Sequence, residues 1–273
     1  MSRTSKSTPA AFRARKRFGQ HFLEAAWVGK LVDALHPTPN DVFLEIGPGR
    51  GALTNALAPR VRRIVGVEID RDLAAALSAV VAPNVHVATA DILDVDLDTL
   101  LLHEPQPCRV VGNLPYNASS PILFMLLRSA DAGRRFRDAT LMLQKEVADR
   151  IAARPGTAEY GTLAVQVALM ADVTRLLTLP PGAFRPAPKV RSAVIQLRFR
   201  APACDVGDPV VFERLVRGMF QQRRKTLANT LSPVISSFGR LAKQVIETAG
   251  LDPTKRPQML TLEELARLSR AVL

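Results

Sequence analysis

Cysteine is scarce in this chain: there are two, Cys108 and Cys204, with no CxxC spacing, so neither a disulfide framework nor a thiolate metal cluster holds it together. That usage suits a reducing compartment, and the cytoplasm is the expected location. No apolar run reaches the roughly 18 residues that a membrane span needs, and the amino terminus lacks the apolar stretch of a secretory signal. Internal repeats and low-complexity tracts are also missing, which excludes solenoids and repeat arrays. Residues 1–23 contain no acid at all, yet hold Arg3, Lys6, Arg13, Arg15, Lys16 and Arg17.

What is present is a globular composition of 273 residues, 47% hydrophobic and 23% charged, with a net charge of +12. Such an excess fits a polyanionic partner, because each neutralised phosphate releases counterions. The excess sits at the ends: +6 over residues 1–23, +2 over 24–200 and +4 over 201–273. An acid-free Arg/Ser-rich start is also the composition of a transit peptide. A polyanion-contacting arm ranks first, because the basic run continues directly into a folded-looking motif at Phe18.

Apolar segments alternate with helical patterns from 25 to 200, the mark of an α/β protein built on a mostly parallel sheet. Strands are expected at Val42–Ile46, Arg63–Ile69, Val85–Ala90, Arg109–Gly112 and Ala139–Leu143, with helices such as Asp72–Val81 and Pro121–Leu127 between them. Val173–Leu179 and Ser192–Phe199 read as two more strands, joined by the proline-rich link Pro180 to Pro188. With no helix between them, they are antiparallel if they touch. Beyond Phe199 the punctuation of Ala201-Pro202 and Asp208-Pro209 gives way to helical periodicity. Three parts are therefore expected: a basic arm 1–23, a catalytic domain 24–200 and a helical domain 201–273.

Gly47-Pro48-Gly49-Arg50-Gly51 follows a strand and precedes a helix, where a glycine turn lets a cofactor approach the backbone. A structural tight turn explains the glycines about as well. Glu68 lies 21 residues beyond Gly47, the offset at which an acid ending the second strand takes ribose hydroxyls. The glycine spacing is not the dinucleotide fingerprint, so a nicotinamide cofactor fits poorly. Asp91, at the third strand end, is placed either to accept from an adenine amino group or to cap a helix.

Asn113-Leu114-Pro115-Tyr116 is the sharpest signal. An amide oxygen at Asn113 and the main-chain carbonyl of Leu114 form a pair of acceptors for an exocyclic amine. Adenine N6 is a poor nucleophile because its lone pair is delocalised, and two such acceptors favour the pyramidal, reactive nitrogen. Pro115 stiffens the backbone that presents them, and Tyr116 offers a ring on which an extruded base stacks.

Arg17-Phe18-Gly19-Gln20, Glu45 to Gly49, Glu68-Ile69-Asp70, Gly112 to Asn117, Leu143 to Glu146 and Phe184 to Val190 together resemble the rRNA adenine N6,N6-dimethyltransferases, over nearly all of the chain from about Arg13. The resemblance implies a Rossmann-like class I methyltransferase sheet of seven strands, the last antiparallel, with a small all-α C-terminal domain. It implies S-adenosyl-L-methionine as cofactor, no metal, and dimethylation of two adjacent adenosines near the 3′ end of 16S rRNA in the small subunit, linked to ribosome biogenesis. The implied cofactor contacts are His21, Leu23, Gly47, Gly49, Glu68, Asp91, Ile92 and Asn113. This chain departs from the family at His21, where Asn is usual, which puts a backbone contact there ahead of a side-chain one. Phe184 resembles a second aromatic wall of the target pocket, with core packing the alternative. Phe220 to Leu227, carrying Arg223, Arg224 and Lys225, resembles an RNA-side helix, and Arg15, Lys16 and Arg17 belong to the RNA-contacting arm. A monomer is expected. Two rivals stand beside this: a resistance methyltransferase acting on large-subunit rRNA, disfavoured by Leu114 and the Phe184–Val190 motif, and a non-catalytic assembly or transcription factor, disfavoured by the complete Asn113–Tyr116 set.

Overall fold

The computed structural model describes residues 21–116 and 118–273. The basic residues of 1–20, Arg15, Lys16 and Arg17 among them, and Asn117 lie outside the described residues. The strands are β1 (Phe22–Leu23), β2 (Val42–Ile46), β3 (Arg63–Glu68), β4 (Val85–Thr89), β5 (Cys108–Asn113), β6 (Phe136–Gln144), β7 (Ala171–Leu179), β8 (Phe184–Arg185) and β9 (Ser192–Phe199). The helices are α1 (Ala25–Leu35), α2 (Ala52–Leu57), α3 (Arg71–Ser78), α4 (Leu97–Leu100), α5 (Ser119–Ser129), α6 (Lys145–Ile151), α7 (Thr162–Met170), α8 (Pro209–Phe220), α9 (Leu227–Ile235), α10 (Ala242–Thr248) and α11 (Leu262–Val272).

Seven strands form one sheet in the order β4-β3-β2-β5-β6-β9-β7. Pairs from β4 to β6 are parallel, and β9 runs antiparallel to both β6 and β7. The expected seven-stranded sheet with an antiparallel last strand is therefore present, and the proline-rich link carries no α-helix. Strand residues alternate between the faces as a period of two demands. Val42, Leu44 and Ile46 join the cluster containing Leu123 and Leu126 of α5, while Phe43 joins the opposite cluster with α1. On α1 the buried residues Val28, Leu31, Val32 and Leu35 recur at three and four, one helical stripe against the sheet. Each large side chain so buried contributes about 1.5–3 kcal/mol.

The helices after residue 208 enclose a separate core of Phe212, Leu215, Leu231, Leu265 and Leu268, among others. This core also takes Tyr160, Ala164, Val165 and Leu169 from the end of the sheet region, so α7 packs against both units. The terminal α11 starts with a capping box, Thr261 accepting from the Glu264 amide and Glu264 from that of Thr261. One expectation is corrected here: the Phe220–Leu227 stretch is not a helix. α8 ends at Phe220 and α9 begins at Leu227, and the cations sit in the turn between. Gln221 and Gln222 amides close back on Gly218 and Met219, and Lys225 on Gln222, so the chain reverses within a few residues.

Candidate active site

Strand order decides where the site falls. The chain leaves β2 toward β3 and β4 on one side, then returns to lay β5 on the other side of β2. A crevice opens at the carboxyl ends of strands flanking such a reversal. The register pairs Ile46 with Gly112, so the next residues along, Gly47 and Asn113, emerge side by side. Gly112 permits the close approach: a Cβ there would lie 2.8 Å from the Ile46 carbonyl oxygen.

The resulting cleft, about 870 Å³ with its open mouth, is lined by His21–Leu23, Glu45, Gly47–Arg50, Glu68 and Asn113–Tyr116, among others. On one wall, Glu68 Oε2 accepts from the Gly49 amide at 2.9 Å and Oε1 from the Asp70 amide at 2.9 Å. Burial pushes the Glu68 carboxyl up, against the lowering pull of those two amides. Gly49 has φ of +58°, and a Cβ on it would lie 3.1 Å from the Phe22 ring, so the turn tolerates a side chain poorly. Arg50 lies 4.2 Å over the same Phe22 ring.

Glu45 also lines this wall. It is 2% exposed, and the Thr54 hydroxyl donates to its Oε2 at 2.7 Å. Burial, with the neighbouring negative Glu68 adding to it, pushes its carboxyl up to about 7 despite the Thr54 bond. In the sequence Glu45 stands within the Glu45–Gly49 motif with no role of its own. The signal was there: one acid in an otherwise apolar strand, Val42-Phe43-Leu44-Glu45-Ile46, directly before a glycine turn.

On the other wall, Asn113 ends β5 and its Nδ2 donates to the His21 carbonyl at 2.6 Å. A carbonyl only accepts, so this bond sets the amide's orientation and leaves Oδ1 as the acceptor for another donor. The Leu114 amide donates to the Met142 carbonyl at 3.2 Å, tying the segment to β6, and the Leu114 side chain is buried. Tyr116 hydroxyl and Ser192 Oγ are 3.1 Å apart, and burial raises the phenol above its ordinary value. The His21 ring stacks on Tyr116 with centroids 5.4 Å apart.

His21, Leu23, Gly47, Gly49, Glu68 and Asn113–Tyr116 thus converge on one cleft. Three other candidates do not line it. Asp91 Oδ1 accepts from the Leu93 amide at 3.0 Å in a local turn, and the helix that follows is capped by Asp96 and not by Asp91. Ile92 is 6% exposed and belongs to the core under the sheet. Phe184 is corrected from pocket wall to core: it is 1% exposed, among side chains that include Val28, Leu31 and Val194, and β8 is paired through it to Leu23 of β1. Of the RNA candidates, Arg223 donates to the Tyr160 carbonyl at 3.1 Å and lines a second cleft with Arg150 and Arg217, while Arg224 and Lys225 are exposed.

A doubly wound sheet with one antiparallel strand, a glycine turn facing a strand-end acid, and Asn-Leu-Pro-Tyr on the neighbouring strand define a Rossmann-like methyltransferase. The family model described as "Ribosomal RNA adenine dimethylase" matches residues 11–268. A Geobacter metallireducens protein named "Ribosomal RNA small subunit methyltransferase A" is 43% identical over 96% of both chains. Its namesake from Acinetobacter baylyi is 44% identical over 94% of this chain and 92% of its own. Among solved structures, a dimethyladenosine transferase from Plasmodium falciparum shares the fold with a TM-score of 0.76 at 24% identity, covering 91% of this chain and 96% of that one. The 23S rRNA methyltransferase ErmE has a TM-score of 0.62 at 25% identity, covering 92% and 99%. The chain belongs to the ribosomal RNA adenine dimethylase family, and it is an rRNA adenine N6,N6-dimethyltransferase. No helix among the described residues is long and apolar enough to cross a membrane.

Proposed function

We propose that this enzyme uses S-adenosyl-L-methionine to dimethylate N6 of two adjacent adenosines near the 3′ end of 16S rRNA, acting as a cytoplasmic monomer on the small ribosomal subunit. The observation that carries this is the clamped Asn113 amide, which shares one cleft with Glu68 and the glycine turn. That cleft fits the cofactor: at Gly47, with φ of +68°, a Cβ would meet nothing within 4 Å, so the cleft-lining backbone there is open to a ligand, and Glu68 has acceptor capacity beyond its amide bonds for ribose hydroxyls. When bound, the cofactor supplies an electrophilic methyl group on a sulfonium sulfur.

The residues of this chain do the rest by positioning. Asn113 Oδ1 and the Leu114 carbonyl would accept from the two N6 hydrogens in the first transfer and one of them from the remaining hydrogen in the second, favouring a pyramidal, nucleophilic nitrogen. With the cofactor bound, the amine would take that methyl group while Asn113 and the Leu114 carbonyl hold it in place. The nitrogen, positively charged after transfer, then loses a proton to water, so no general base is required. Tyr116 stacks the flipped ring. The working division is a basic arm 1–23, a cofactor domain 24–200 and a helical RNA-side domain 201–273, with Arg15, Lys16, Arg17, Arg223, Arg224 and Lys225 facing phosphates.

Incubation with labelled cofactor and either unmethylated small subunits or large subunits, followed by RNA digestion and mass analysis, tests the assignment. Dimethyladenosine in the small-subunit RNA alone is expected. Label confined to large-subunit RNA, or equal transfer by wild type and Tyr116→Ala, overturns it.

A further inference from the structure

We propose that the His21 imidazole is a placeholder for the target base, covering Tyr116 until a flipped purine replaces it. This rests on the adenine-methylation reading and deepens it by adding a residue that sets the threshold for base entry. His21 touches both groups that the target needs. Its ring stacks on Tyr116 at 5.4 Å between centroids and 27° between planes, and its carbonyl oxygen takes Asn113 Nδ2 at 2.6 Å. A 5.4 Å separation is that of two rings in direct contact, so a base cannot slip between them. His21 therefore vacates the position and does not serve as the far wall of a sandwich. Phe184, the other candidate wall, is buried in the core.

The exchange needs little movement. The ring is held by the stack and by Nδ1, which donates to the Pro186 carbonyl at 2.7 Å. The backbone beside it is pinned: Phe22 pairs with Arg185, Leu23 with Phe184, and the Glu24 amide donates to the Ala183 carbonyl at 2.9 Å. A side-chain rotation releases Tyr116 while the His21 carbonyl keeps Asn113 oriented for the incoming amine. A base gains entry only when its stacking, together with its amine bonds to Asn113, exceeds what the imidazole gives up. That requirement favours a purine amine over smaller rings or bases without one.

The test compares wild type, His21→Ala and His21→Phe on unmethylated small subunits at saturating cofactor, with saturation verified by calorimetric titration of S-adenosylhomocysteine into each protein. The placeholder predicts that His21→Ala raises kcat/KM about threefold to tenfold, through a lower KM, and that His21→Phe does not, because a ring again covers Tyr116. An unchanged or lowered kcat/KM in His21→Ala overturns the proposal, and recovery by His21→Phe would make residue 21 a wall instead. An equal rise in both variants overturns it too. Asn113→Ala in the same assay separates the two readings. If it transfers like wild type, the site assignment itself fails; if it is inactive while the His21 variants behave as wild type, only the placeholder fails.

Discussion

The two ends of the sheet bury their charges in opposite ways. At the amino ends of the strands, Arg109 is 4% exposed and forked between Asp41 at 3.0 Å and Asp138 at 3.0 Å, with Arg137 reaching both acids from outside. Burial pushes Asp41 up, but the Thr38 amide and the Arg109 and Arg137 guanidinium groups outweigh it and hold the carboxyl below its ordinary range. At the carboxyl ends, Glu45 and Glu68 are as deeply buried, yet the Thr54 hydroxyl and the Gly49 and Asp70 amides that hold them are neutral, and both carboxyls are raised. Charge at the first end is internally compensated, which locks strands together. At the second the groups that hold Glu45 and Glu68 are neutral, and burial favours the protonated carboxyls. The same sheet thus separates a structural end from a chemical one.

Breaking the compensated end should have the largest effect on stability and little on chemistry. Arg109→Ala leaves Asp41 and Asp138 buried without their central partner, and a loss of about 3–5 kcal/mol is expected in denaturant unfolding. Its kcat, measured well below the melting temperature, should stay near wild type; a tenfold fall would show that the two ends are not separate. Breaking the chemical end should do the reverse. Asn113→Ala is expected to lower kcat about 100-fold to 1000-fold, the scale of losing one oriented polar group at a reacting atom, with S-adenosylhomocysteine still bound and the unfolding midpoint little moved.

Glu45→Gln sharpens the contrast through pH. Because the folded-state value of about 7 lies above the ordinary 4.5, the folded protein holds this proton more tightly than the unfolded chain. The stability tied to it is complete below pH 4.5 and lost as pH rises through 7, a span worth up to about 3 kcal/mol. Wild type should therefore lose this increment between those limits, and the Gln protein should not; parallel stability curves from pH 5 to 8 would contradict the buried-acid account. The smallest effect belongs to Arg60→Ala. That side chain and its partner Asp33 are 53% and 75% exposed, so the change in stability should stay within about 0.5 kcal/mol.

Much of the sheet was legible in order. Val42–Ile46 and Ser192–Phe199 were read to the residue, and the other core strands differ by one to three residues at one or both ends, as at Phe136–Gln144 against Ala139–Leu143. Buried parallel strands are continuous apolar runs bounded by turn residues, which a local reading detects. The cleft was legible where strand ends carried unusual residues: the glycine turn, Glu68 and Asn113 to Tyr116. Phe184 was misplaced because an aromatic residue in a proline-rich link has no local pattern that separates a core position from a pocket wall. The cations at 223–225 were taken as helical from a resemblance alone; six polar residues, 221–226, interrupt the apolar spacing of α8, and the chain turns there.

Sequence alone determined the sheet, the order of its turns and the chemistry carried by each strand end, since those depend on residues close along the chain. Tertiary structure decided which distant groups meet. β1 reaches β8 across roughly 160 residues, and that pairing brings His21 over Tyr116 and beneath Asn113. It also decided that Glu45 is buried beside a second acid. The physical reason is that hydrophobic periodicity and turn preference are local, whereas stacking, desolvation and the choice of hydrogen-bond partner exist only once the chain has closed on itself.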